Sequence, residues 1–137
     1  MSVPKRLRKK SKLKVFVDAC DLVEYVLKIT ANEKVFKPEQ SAVTDKVKSA
    51  ALDIARFIWC ANNIRVRQDA ALYAERRRLQ DMAVTCCREL LFLIDLAWEV
   101  MHLSERRAVY WIGKVVDLRE EISAWRASDA KRYGHLR

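Results

Sequence analysis

The sequence predicts an all-α protein, an antiparallel up-down-up-down four-helix bundle, from three observations. The chain has 137 residues, 51% of them hydrophobic, which suits one domain with a sizeable core. It holds only 2 Gly and 2 Pro, too few for the closely spaced turns of a β-rich or α/β domain. Apolar residues recur with the helical period in four stretches. Because short links join these stretches, neighbouring helices should be antiparallel.

The first two helices follow from apolar stripes. The first runs from about residue 12 to about residue 31, with an inner face of Val15, Ala19, Leu22, Val26 and Ile29. The second opens at Pro38, whose missing N–H costs nothing in a first turn, and reaches roughly Arg65. Its inner face is Val43, Val47, Ala50, Ile54, Ile58 and Ala61.

The third helix has the longest pattern, and the fourth has two apolar stripes. In the third the pattern comprises Leu72, Leu79, Ala83, Cys86, Leu90, Leu93, Ala97 and Val100. Ser104 then has the position of an N-cap for the fourth helix. That helix is apolar over more than the face that one bundle core needs. Such surplus predicts an oligomer interface at Trp111, Leu118 and Trp125; thick packing inside a monomer is the alternative.

Positive charge is concentrated at the N-terminus. The net charge is +9, and the first 14 residues hold seven basic side chains and no acidic one, namely Lys5, Arg6, Arg8, Lys9, Lys10, Lys12 and Lys14. We therefore expect a flexible basic arm over residues 1–11, a bundle over 12–133 and a short tail over 134–137. Such an arm suits a polyanion, either nucleic acid or an anionic membrane surface. A merely solubilising tail is the alternative.

Basic residues also cluster outside the arm. Arg65 and Arg67 close the predicted second helix, and Arg76, Arg77 and Arg78 follow near the start of the third. A hairpin of these helices would gather the five arginines at one end of the bundle, where bidentate phosphate contacts become possible. A second basic group consists of Arg126, Lys131, Arg132 and Arg137. The alternative is an ordinary solvated surface moderated by nearby acidic residues.

No motif in the sequence indicates catalysis, a cofactor or a metal. The two glycines form no phosphate loop, and there is no H-E-x-x-H pattern. His102 and His135 are isolated. The four cysteines form no C-x-x-C pair and lie among apolar residues, which favours reduced, buried thiols. With neither a secretory h-region nor a membrane-length apolar run, we expect a cytoplasmic, non-enzymatic protein.

Several segments resemble a known group of small bacterial four-helix-bundle proteins. They are residues 21–30, 51–55, 61–62, 78–80, 90–97 and 124–129, and the resemblance spans most of 15–132. The group includes proteins encoded in intervening sequences of 23S ribosomal RNA genes, and the accessory variability determinants of diversity-generating retroelements. Its motifs are helical patterns rather than chemical signatures.

The resemblance implies a binding protein. Accessory variability determinants form barrel-like homopentamers with a basic surface, and they bind a reverse transcriptase and its template RNA in mutagenic cDNA synthesis. By resemblance we therefore expect a reverse transcriptase and template RNA as partners, and a homo-oligomer. Two alternatives stay open: a ribosomal-RNA-associated or structural bundle, and a DNA-binding accessory factor of a mobile element.

Overall fold

The fold is known from a computed structural model, which describes residues 13–136. These residues form four α-helices and no strand: α1 Lys14–Thr30, α2 Ser41–Asn62, α3 Ala70–Val100 and α4 Glu105–Tyr133. Short 3-10 turns cover Pro38–Gln40 and Gly134–Leu136. Consecutive helices pack against each other and α1 also contacts α4. The prediction of an all-α fold with four helices is confirmed for residues 13–136.

Side chains cap the two longest helices at their N-termini. The Asp69 carboxylate accepts hydrogen bonds from the backbone N–H groups of Ala71 at 2.9 Å and Leu72 at 3.2 Å. The Ser104 hydroxyl accepts one from the N–H of Arg107 at 3.2 Å. Each bond satisfies a donor that has no partner within its own helix. The predicted cap at Ser104 is confirmed.

The predicted bounds of the second helix are wrong at both ends. Pro38 begins a 3-10 turn, and the α-helix itself starts at Ser41. The helix ends at Asn62 instead of near Arg65. The Asn63 side chain donates to the backbone carbonyl of Trp59 at 2.9 Å, and its backbone N–H contacts that same carbonyl at 3.1 Å. Such local bonding competes with helix continuation.

One hydrophobic core joins the four helices, and two loops add to it. Val35 and Phe36 from the α1–α2 loop, and Leu103 from the α3–α4 loop, are buried in it. The ring centroid of Phe36 lies 6.2 Å from that of Trp111. The loops therefore close over one end of the helical core and increase the apolar area that folding removes from water.

The predicted oligomer interface on α4 is wrong for two of its three residues. Trp111 is 0% exposed and Leu118 is 2% exposed within a single chain, so neither can meet a second copy. Trp125 is half-buried and packs against the same core. The second apolar stripe of α4 thus packs largely inside the single chain. This is the alternative that the sequence left open.

Apolar surface is instead exposed on α1 and α2. Trp59 is 53% exposed, Leu52 is 50% exposed and Leu27 is 38% exposed. These side chains line a groove together with Phe16, whose ring centroid lies 5.2 Å from that of Trp59. We call these four residues the apolar groove. Contiguous exposed apolar surface of this kind is typical of interaction sites.

Candidate nucleic-acid interface

The α2–α3 loop, the first turns of α3 and the C-terminal part of α4 meet at one end of the bundle. Three contacts join them. Arg76 is paired with Asp129, the rings of Tyr73 and Tyr133 lie 5.6 Å apart, and His135 Nε2 lies 3.2 Å from the Gln68 side-chain oxygen. The two segments that carry these basic residues, 65–78 and 126–132, are therefore neighbours at this end of the bundle. We call it the basic end, defined by Arg65, Arg67, Arg77, Lys131 and Arg132.

A buried polar cluster underlies the basic end. Arg76 donates to the Asp129 carboxylate from Nε at 2.6 Å and from Nη2 at 3.1 Å, and its Nη1 donates to the Ile64 carbonyl at 3.2 Å. Gln80 donates to the same carboxylate at 2.8 Å. The Trp125 ring centroid lies 5.2 Å from the guanidinium carbon. Asp129 is 3% exposed, so this cluster ties α3 to both α4 and the α2–α3 loop.

Arg76 is therefore a structural residue, and the prediction that it binds phosphate is wrong. Its side chain is 11% exposed and its three bonding nitrogens already have acceptors within the chain. Moving it onto a phosphate would leave the buried Asp129 carboxylate without its countercharge, which is strongly unfavourable in a low-dielectric site.

Two further predicted arginines form ion pairs at the surface. Arg78 lies 2.7 Å from Glu75, and this hydrogen bond lowers the pKa of the Glu75 carboxyl. Arg126 Nε lies 2.6 Å from Asp81. Since exposed pairs of this type are weak, both arginines remain able to exchange partners. Their local charge is nevertheless largely neutralised, so they contribute less to an anion site than the sequence predicted.

The five residues of the basic end make no ion pair with any carboxylate in residues 13–136. All are exposed except Arg77, which is partly exposed. The guanidinium of Arg77 lies 5.8 Å from the Tyr73 ring centroid, and that of Arg132 lies 5.8 Å from the Tyr133 ring centroid. The surface therefore presents positively charged side chains that are not ion-paired within these residues, and two of them lie beside aromatic rings.

Arg67 has an unusual backbone conformation. Its φ of 52° lies in the left-handed region, which costs a non-glycine residue about 1–2 kcal/mol. It belongs to a turn that the N–H of Asp69 closes on the Val66 carbonyl at 3.0 Å. Val66 is 2% exposed and anchors the loop, while the Arg67 side chain is exposed. Strain of this kind often accompanies a functional residue.

The predicted basic arm lies outside the described residues, with Lys5, Arg6, Arg8, Lys9, Lys10 and Lys12. Its point of attachment, however, is defined. Lys14 lies 2.6 Å from Asp18 and 3.3 Å from Glu121 on α4. Glu121 precedes Asp129 by eight positions, or about 12 Å along the helix. The start of α1 therefore lies beside the middle of α4.

Sequence reasoning missed the structural role of Asp129 and Gln80, although a signal was present. Asp129 lies four positions after Trp125, and so continues the buried stripe of α4. Gln80 lies beside Leu79 on the inner face of α3. A charged or amide side chain on a buried stripe requires a partner. The need of Asp129 for a cationic partner was therefore a signal that one of the nearby arginines has a structural role.

Comparisons of the chain with protein-family models, with curated proteins and with solved structures gave no match. Within residues 13–136, no helix combines the length and the apolar character needed to cross a membrane. In the same part of the chain, no three or more His, Cys, Asp and Glu side chains are grouped so that they could hold a metal ion. The candidate site is the basic end, whose exposed arginines can donate hydrogen bonds to anions.

Proposed function

We propose that this is a non-enzymatic, nucleic-acid-binding accessory protein of a diversity-generating retroelement, acting in the cytoplasm. It binds the element's reverse transcriptase and template RNA and so supports mutagenic cDNA synthesis. The finer topology that we propose is an antiparallel up-down-up-down bundle. The family assignment rests on the resemblance of the sequence. The observation that supports RNA binding is the set of five cations at the basic end that make no ion pair within residues 13–136.

Phosphate binding follows from the chemistry of this surface. A guanidinium can donate two parallel hydrogen bonds to phosphate and is weakly hydrated, so arginine suits such contacts better than lysine does. Four of the five residues are arginines. Each phosphate that they neutralise releases condensed counterions, which makes binding strongly dependent on salt. The basic residues of the predicted arm raise the total positive charge of the chain further.

The salt dependence of RNA binding tests this proposal. A triple variant, Arg65→Gln, Arg67→Gln and Arg132→Gln, removes three exposed cations of the basic end and leaves Arg76 in place. For single-stranded RNA, the slope of log affinity against log salt should fall by about 0.7 for each lost contact. Filter binding between low and physiological salt gives this slope, and circular dichroism confirms unchanged helix content.

A matched control removes the same charge elsewhere. Lys28, Lys46 and Arg88 are exposed on α1, α2 and α3, respectively, and their triple change to Gln should lower the slope much less. Equal slopes for the two triple variants would contradict the assignment of the basic end. Failure of the unmodified protein to bind RNA near physiological salt would contradict RNA binding itself.

The reverse transcriptase is the proposed protein partner. Co-purification of this protein with the reverse transcriptase encoded beside its gene tests this directly. If the basic-end triple variant loses the polymerase but still binds RNA with an unchanged salt slope, the surface belongs to the protein partner. Absence of a reverse transcriptase gene nearby would contradict the retroelement assignment.

Assembly into a homo-oligomer, a pentamer by resemblance, is also proposed. With Trp111 and Leu118 inside the core, the apolar groove on α1 and α2 is the surface that supports it. A second copy of the chain would bury Trp59 and Leu52, and burial of apolar surface is the main driving force for such association. Repetition of the basic end around an oligomer would strengthen RNA binding through multivalency.

A further inference from the structure

A second cationic surface lies far from the basic end. Two adjoining cavities, of about 630 Å³ and 740 Å³, open where the α1–α2 loop meets the start of α4. They share His102 and Arg107 in their walls. Along α4, Tyr110 in the first cavity precedes Asp129 by 19 positions, which corresponds to roughly 28 Å. No element of the proposed function uses this surface.

An exposed tyrosine forms one wall of the first cavity. Tyr110 is 57% exposed, and its ring meets that of Tyr25 edge-on, with centroids 5.4 Å apart. Tyr25 in turn lies 5.9 Å from the buried Trp111 ring, so the exposed ring rests on a fixed aromatic base. Lys114 Nζ lies 5.4 Å from the Tyr110 centroid. A large exposed ring, held in place beside a cation, can stack on a flat ligand.

Cations surround this ring and continue into the second cavity. Arg106 and Arg107 line the first cavity, and Lys34 and Lys37 line the second. None of the four makes an ion pair with a carboxylate in the part of the chain that the structure describes. Burial raises the pKa of the Tyr25 phenol. The nearby positive charge of Arg107 acts in the opposite direction and lowers this pKa.

We propose that these cavities bind single-stranded nucleic acid, with one base stacked on Tyr110 and the adjacent phosphates on Arg106 and Arg107. The strand then continues over Lys34 and Lys37. A stacking aromatic ring combined with a cationic track is the arrangement by which proteins hold single strands, because only unpaired bases expose their faces. This inference rests on the proposed function. It adds a second site, which binds single-stranded nucleic acid in preference to duplex.

The test compares single-stranded and duplex RNA of equal length. Tyr110→Ala should weaken binding of a single-stranded RNA dodecamer by roughly 5- to 150-fold, the range for loss of one stacked base. Its affinity for the duplex should stay unchanged. Tyr110→Phe keeps the ring and should bind like the unmodified protein. Phe92→Ala truncates another exposed ring, 63% accessible on α3, and serves as the matched control.

The electrostatic part of the site is tested separately. Arg106→Gln with Arg107→Gln should lower the salt slope for the single strand, whereas Tyr110→Ala should leave that slope unchanged because stacking releases no counterions. The same titration with a single-stranded DNA dodecamer should show the Tyr110 effect too, since stacking does not need the ribose hydroxyl.

The outcomes distinguish this inference from the proposed function. Suppose that the protein binds RNA and that Tyr110→Ala weakens binding of single-stranded and duplex RNA equally, or weakens binding of neither. The stacking site is then overturned, while RNA binding stands. If Phe92→Ala reproduces the Tyr110→Ala loss, the site is likewise overturned. If the unmodified protein binds neither RNA, the proposed function fails first, and this inference fails with it.

Discussion

Arg76 and Asp129 form a two-point ion pair across the α3–α4 contact, with Nε–Oδ2 at 2.6 Å and Nη2–Oδ1 at 3.1 Å. They lie 53 residues apart in the sequence. A buried pair contributes little net stability relative to a well-packed apolar pair, because desolvation offsets most of the attraction. Its value lies in specificity: Asp129 is satisfied only when α3 and α4 take the register that brings Arg76 to it.

Removing Arg76 should therefore destabilise the protein. Arg76→Ala leaves the carboxylate of Asp129 buried without a countercharge and should lower the free energy of unfolding by about 3–5 kcal/mol. Urea denaturation followed by tryptophan fluorescence measures the change. Arg78→Ala breaks only an exposed pair with Glu75 and should cost no more than about 1 kcal/mol. Equal losses in the two variants would contradict a structural role for Arg76.

The sequence predicted those features of the fold that depend on residues adjacent in the chain. It did not predict features that depend on contacts between distant residues. Ser104 was identified as an N-cap because the cap and its helix are adjacent in sequence. The end of α2 was placed about three residues too late because Asn62 and Asn63 are only weak stop signals in the sequence. The bond from the Asn63 side chain to the Trp59 carbonyl, which marks this end, is evident only in the structure. The misassigned face of α4 had a tertiary cause: Tyr25 and Phe36 from elsewhere in the chain cover Trp111.

The candidate site shows the same division. That the arginines cluster followed from the hairpin expected of consecutive helices, and the structure places Arg65, Arg67 and Arg77 together with Lys131 and Arg132. Which arginine is used internally could not be read from spacing alone, since the pairing with Asp129 spans two helices. The cavities beside Tyr110 were missed because their walls join residues 25–37 to residues 102–110, which are distant in sequence.

The apolar groove makes a prediction about assembly. Trp59→Glu places a charge on an exposed position and should give a folded species of smaller mass, because burying that carboxylate against a second copy is unfavourable. Light scattering gives the mass. Trp111→Ala removes a core side chain instead and should destabilise the fold by about 3–5 kcal/mol. A monomer for the unmodified protein would contradict the assembly.

The left-handed conformation of Arg67 predicts a gain in stability with a loss of binding. Asn tolerates this region better than Arg does, so Arg67→Asn should raise the free energy of unfolding by up to about 1 kcal/mol. RNA affinity should fall in the same variant, because one exposed cation is lost. Arg65→Asn removes a neighbouring charge without relieving strain and should lower affinity alone. Equal stability changes in the two variants would contradict the strain.

The buried cysteines predict a loss of stability in alkali. Burial raises the pKa of the Cys86 thiol to about 11 and that of Cys87 to about 12, against an ordinary value of 9.0. Above pH 9 the unfolded chain therefore loses thiol protons that the folded chain keeps. Because the unfolded state then binds fewer protons, the free energy of unfolding falls as pH rises from 9 towards the folded pKa values.

Cys87→Ala isolates this effect. The variant should be less stable than the unmodified protein at pH 8, because a buried sulfur is lost from the core. It should nevertheless lose less stability between pH 8 and pH 10.5, since the raised thiol pKa no longer favours the unfolded thiolate. Urea denaturation at both pH values under reducing conditions measures the difference.

Cys60→Ala, at a partly buried thiol, is the control and should keep the full alkaline loss of stability. Parallel losses in all three proteins would show that other groups govern the alkaline stability.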